Sequence, residues 1–162
     1  MRDLTLGPAL AAAIAAAMLA APAAGAEETI DATDPERILA IAHSFGEAAL
    51  TTDNLGDPLI EGRIGEKDYR LLFYGCSENR DCKTLMFSAG WAGDDRTDDR
   101  TDEMMADWNR EKRFGKAYLD EDGVATVEMN VNLHGGVTRA NLDDTIDWWR
   151  LVLAEFADYF DF

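Results

Sequence analysis

The chain has little of what most reactive or metal-holding proteins depend on. Of its 162 residues only two are cysteine and two histidine. His43 and His134 lie far apart, and neither is within ligand spacing of a cysteine or of the other, which leaves no Cys/His metal site. No Gly-x-Ser-x-Gly elbow and no defensible Ser/His/Asp grouping occurs, so nucleophilic acyl transfer has no starting point. Gly135-Gly136 alone cannot cradle a phosphate. Acids are too numerous and too evenly spread for a glycosidase-like pair to stand out. Basic residues are scarce as well: 15 Lys and Arg against 32 Asp and Glu give a formal charge of −17. Such a surface repels nucleic acid and anionic membranes and leaves cationic or neutral protein surfaces as partners. We therefore expect no catalytic residues, no enzyme, no cofactor and no resident metal. A weak cation site at Asp94, Asp95, Asp98 and Asp99 is the one ionic alternative, in an acidic loop over 92–102 built on a tandem Asp-Asp-Arg-Thr.

What is present begins with a targeting segment. Arg2, an Ala/Leu/Ile/Met run from Ala9 to Ala21, and Ala24-Gly25-Ala26 are the parts of a cleavable secretory signal over 1–26. The run is too short and too rich in alanine for a membrane span. Cleavage leaves a single domain over 27–162 that is periplasmic or secreted and has no stable membrane association. In an oxidising compartment an even pair of cysteines reads as a disulfide, here Cys76–Cys82. A redox-active pair is the alternative, but five residues separate the two thiols and no helix N-terminus is at hand to acidify one.

The middle of the domain is organised around a hairpin. Val124 to Leu133 alternates, with Ala125, Val127, Met129, Val131 and Leu133 on one face and Thr126, Glu128, Asn130 and Asn132 on the other, which is the signature of a half-buried strand. A turn with Gly123 in the left-handed conformation sets Leu119 opposite Ala125, Ala117 opposite Val127 and Lys116 opposite Glu128. The acidic turn lacks the ligand spacing of an EF-hand. Upstream, aligning Cys76 with Cys82 sets Phe73 against Leu85, Leu71 against Phe87 and Tyr69 against Ala89. It leaves Leu72, Tyr74, Thr84 and Met86 on the opposite face.

Around these hairpins the spacing predicts a first helix starting at Thr33 or Asp34, with Pro35 in its first turn and Gly46 as its stop. Glu27 to Ala32 reads as a loose leader. Strands follow over 47–52, 59–64 and 69–76, the last two joined through Gly65 to Asp68. A middle helix over 101–112 buries Met104, Met105 and Trp108. Leu142, Ile146, Trp149, Leu153, Phe156 and Phe160 form a long amphipathic stripe after Gly136. The fold class is α+β: an antiparallel sheet with an N-terminal helix, a middle helix and a long C-terminal helix packed on it.

Tyr69 to Ser88 carries apolar residues on both faces, more than a one-sided sheet needs. Leu72, Tyr74, Met86, Trp91, Trp108, Asn109 and Arg113 are accordingly the candidate interaction face, for another protein or for a second copy of the chain. The alternative is a small molecule or metal ion bound in a pocket lined by Trp91, Trp108, Trp148 and Trp149.

One resemblance bears on this reading. The segment FYGCSENRDCKTLMFSAGW (73–91), the run Trp108-Asn109-Arg110 leading to Arg113-Phe114-Gly115-Lys116-Ala117-Tyr118-Leu119-Asp120, the strand Glu128-Met129-Asn130-Val131, Gly135-Gly136 and a final helix from near Asn141 resemble the YbjN family of bacterial domains. The resemblance runs from about Asp34 to Phe162. It implies a fold similar to type III secretion chaperones and a regulatory, non-catalytic role. The family brings no catalytic residues to carry over. The signal segment and the cysteine pair depart from cytoplasmic relatives.

Overall fold

A computed structural model describes residues 29–92 and 100–162. The expected signal segment over 1–26 and the central part of the acidic loop, with Asp94, Asp95, Asp98 and Asp99, lie outside the described residues. In chain order the elements are β1 (Thr29–Ile30), α1 (Pro35–Ala42), β2 (Glu47–Thr52), β3 (Pro58–Ile64), β4 (Lys67–Tyr74), β5 (Thr84–Trp91), α2 (Asp102–Glu111), β6 (Lys116–Leu119), β7 (Ala125–Asn132), β8 (Val137–Thr138) and α3 (Arg139–Phe160). The main sheet is antiparallel, in the order β2-β3-β4-β5-β7-β6.

Local chemistry sets the helix starts. The Asp34 carboxylate accepts from the Arg37 amide at 3.0 Å, and Pro35 occupies the first helical position of α1. Thr101 and Thr138 do the same for α2 and α3, accepting from the Met104 and Asn141 amides. These side-chain oxygens satisfy N–H groups that have no partner within the helix. The first helix closes at Ala42, short of the expected stop at Gly46, because the Ser44 and Phe45 amides turn back onto Ile41 and Ala42.

Both hairpin registers fall as the alternation requires. Leu119 faces Ala125, Ala117 faces Val127 and Lys116 faces Glu128, with Gly123 at φ +79°. Phe73 faces Leu85 and Leu71 faces Phe87, and beyond them Cys76 and Cys82 are joined. The leader is not loose, however. Thr29 and Ile30 pair with Thr138 and Val137, and Ile30 and Ala32 are fully buried. Gly136 makes the pairing possible: it sits at φ +84°, and a Cβ there would lie 2.7 Å from that of Thr29. Only glycine allows both the conformation and the approach.

One face of the sheet and all three helices enclose a single core. Ile38 and Ile41 of α1, Met105 and Trp108 of α2, and Leu142, Ile146, Trp149, Leu153 and Phe156 of α3 meet Ile60, Leu71, Phe73, Leu85, Phe87 and Val127 of the strands. Trp149 lies against Tyr69 and Phe87, and Trp108 packs edge-on to Phe156. The expected α+β architecture, an antiparallel sheet with its long C-terminal helix, is the one observed.

Candidate functional site

With every helix on one side, the other face of the sheet is left without a covering element among the described residues, and its composition follows from the ladders. One cross-strand row reads Thr51, Leu59, Leu72, Met86, Asn130. The next reads Ala49, Glu61, Arg70, Ser88, Glu128, Lys116. The first places Leu59, Leu72 and Met86 side by side, with Tyr74, 42% exposed, one step along β4. In the second, acid stands opposite base at Glu61–Arg70 and at Glu128–Lys116. Arg63 and Asp68, one step further on, form an ion pair at 3.0 Å. Charges of both signs therefore alternate on this face, although the chain as a whole is strongly acidic.

The face is also concave. Small side chains at Ala49, Ser88 and Gly90 floor a trough of about 630 Å³, bordered by Glu47, Glu61, Arg63 and Arg70. A second hollow of about 420 Å³ shares Arg70, Ser88 and Gly90 with it and continues to Tyr118, Thr126 and Glu128. The Tyr118 hydroxyl donates to Glu128 at 2.6 Å. Burial, then this bond and the Glu128 charge, push the Tyr118 phenol well above its ordinary range. Burial also raises Tyr74, with Glu128 and Asp53 adding to it. Neither tyrosine is prepared to act as a base at neutral pH. Arg70 forms no ion pair among the described residues.

The seven expected interaction residues separate into three groups. Leu72, Tyr74 and Met86 share the open face. Trp91 and Trp108 belong to the other side. Trp91 stacks on Phe162 and lies against Phe156. Trp108 is fully buried, with its indole N–H donating to the Gly115 carbonyl at 2.8 Å. Asn109 serves the sheet edge: its side chain donates to the Ala117 carbonyl and accepts from the Ala117 amide, at 2.8 and 2.7 Å. It thereby closes the outer edge of β6 much as another strand would. Arg113 is exposed beside the Phe114 ring.

The four tryptophans do not converge. Trp108 and Trp149 are core residues, and Trp148 borders a separate hollow with Phe114. Among the described residues no three His, Cys, Asp or Glu side chains are grouped to hold a metal ion. No described helix is long and apolar enough to cross a membrane. Two contacts escape sequence reasoning. Arg70 becomes the shared border of both hollows only through strand order. Asn79 donates to Leu55 O and Asp57 Oδ1, tying the disulfide loop to the β2–β3 turn.

A one-sided antiparallel α+β domain with an open, charge-alternating sheet face, and with no reactive centre assembled among the described residues, is the class of protein these features define. A family model described as "Putative bacterial sensory transduction regulator", YbjN, matches residues 34–162. The chain belongs to the YbjN family, whose description is that of a regulator and not of an enzyme. No curated protein and no solved structure matches it.

Proposed function

We propose that this is an exported, periplasmic, non-catalytic regulatory module that holds a partner protein on the open face of its sheet, in the manner of a chaperone. The observation that carries the reading is the half-buried pair Leu72 and Met86 with exposed Tyr74 beside it, in a row that buried Leu59 continues. It is flanked by a row in which charge is locally balanced. A strongly acidic molecule can be approached by another protein most easily where its own charges alternate. The apolar row then supplies area that gains from desolvation. Residues 1–26 fit the role of the export signal, and the disulfide Cys76–Cys82 suits the destination.

The test is brief crosslinking of the mature domain in periplasmic extract, compared with the double variant Leu72→Glu, Met86→Glu. We expect a near-stoichiometric partner, or a second copy of the chain, to be lost in the variant. The thermal midpoint should stay within a few degrees, since both side chains lie outside the core. Equal recovery by wild type and variant, or no partner for either, would remove the proposal. Appearance of the uncleaved chain in the cytoplasm would remove its export half.

A further inference from the structure

The geometry points to a second, independent binding site: an open slot on the edge of β7 that takes an extended peptide by strand addition and holds its C-terminal carboxylate at Arg113. The observation is a mismatch in length. β7 pairs with β5 along all of Ala125–Asn132, but with β6 only from Ala125 to Glu128. The other side of Met129 to Asn132 is left without a strand among the described residues.

Which backbone groups are open there follows from Asn109. Its side chain engages both the N–H and the C=O of Ala117, so these point away from β7. Ala117 and its partner Val127 are therefore a non-hydrogen-bonded pair, and by alternation Thr126 and Glu128 direct their backbone groups toward β6. Asn130 and Asn132 direct theirs the same way, past the point where β6 has ended. The opposite ladder agrees: Leu133 donates to the Lys83 carbonyl, so the odd-numbered residues face β5. No backbone hydrogen bond joins Asn130 or Asn132 to the segment before β6 among the described residues.

The space beside this edge is shaped for a side chain. A hollow of about 490 Å³ is bounded by Arg113, Phe114, Asn130, Asn132, Asp144 and Trp148, among others. Phe114 and Trp148 lie 4.8 Å apart, and Trp148 is 41% exposed. A strand laid antiparallel on Asn130 and Asn132 would continue the line of β6 backward. Its C-terminal end would fall where the chain turns out of the sheet, at Arg113. That guanidinium rests on the Phe114 ring at 5.1 Å and forms no ion pair among the described residues. Arg113 is the basic residue that borders this hollow. A guanidinium recognises a carboxylate strongly. Asp144 borders the same hollow and disfavours a second acid, so the occupant is an apolar, extended peptide end with one carboxylate. Strand addition of this kind draws affinity from main-chain bonds and specificity from the pockets alongside.

The probe is an acetylated peptide of alternating threonine and apolar residues, Thr-Val-Thr-Phe-Thr, with a free C-terminal carboxylate. We expect it to slow hydrogen exchange of the Asn130 and Asn132 amides at least about tenfold, leaving Met129 and Val131 unchanged. Amidating its C-terminus or introducing Arg113→Gln should each weaken binding about tenfold, and Trp148→Ala by a similar factor. Methylating the peptide's backbone nitrogens should abolish binding. Asn130→Pro, tolerable where an amide faces solvent, should also abolish it. Leu72→Glu, two strands away from β7, should leave it intact, which separates this site from the open face. Unchanged exchange at Asn130 and Asn132 in millimolar peptide would overturn the proposal. So would equal binding of the amidated or N-methylated forms.

Discussion

Two fully buried tryptophans show how much a single polar atom decides. Trp108 and Trp149 fill comparable volumes, but the Trp108 N–H reaches the Gly115 carbonyl, whereas the Trp149 Nε1 has no acceptor among the described residues. Replacing either by phenylalanine removes buried area and leaves a gap. Only at Trp108 does it also strand a carbonyl. Trp108→Phe should cost about 2–4 kcal/mol, and Trp149→Phe about 1 kcal/mol less, because it also removes an unsatisfied donor. Urea unfolding of the two variants measures the difference, and equal losses would contradict the assignment. Tyr118 makes a second prediction at this scale. Its folded pKa lies above the ordinary 10.0, through burial and its bond to Glu128. The neutral phenol therefore contributes stability that is complete below pH 10 and is lost as pH rises through the raised folded value. Thermal midpoints should fall more steeply from pH 9 upward in the wild type than in Tyr118→Phe.

At the scale of elements, the hairpins were legible in the sequence because two independent signals coincide in each. The cysteine spacing and the apolar alternation select the same register for β4 and β5. The turn at Gly123 and the Lys116–Glu128 pair select the same one for β6 and β7. The caps of α1 and α2 were readable to within one residue, being one-residue chemistry, whereas the Thr138 cap of α3 was not. β1 and β8 were not, since strands of two residues have no period to detect. Of the site, alternation alone groups Leu72, Tyr74 and Met86. It cannot show that Trp108 faces inward for good, or that Asn109 is spent on Ala117, since both depend on where α2 docks. The disulfide loop carries the main prediction here. Glu78, Asn79 and Asp81 all sit at positive φ between +52° and +60°, a conformation costly for residues with a Cβ. The covalent closure and the Asn79 contacts hold them there. Cys76→Ser with Cys82→Ser should destabilise by about 2–3 kcal/mol. It should also release the Asp53–Asp57 turn, seen as faster amide exchange at Gly56 and Asp57. Retention of slow exchange there would show the loop to be self-supporting.

Over the whole molecule, the second hollow, from Arg70 across to Tyr118 and Glu128, was beyond the reach of sequence because it depends on β7 lying between β5 and β6. That order brings Ser88 beside Glu128 and extends the row from Ala49 to Lys116. Nothing local encodes it, since α2 and the acidic loop intervene in the chain between β5 and β6. The formal charge, by contrast, is fixed by composition, while its local balancing on one face appears only when the strands are laid side by side. The asymmetry of the fold has a further consequence, in time instead of space. The helix that closes the core, α3, comes after every strand in the order of synthesis. Until Trp149 and Phe156 emerge, α1 and α2 cover only part of the sheet's apolar face, so the growing chain cannot settle into its final packing. Such a delay would suit the export proposed above, in which a chain stays threadable and finishes folding only once the whole of it has arrived.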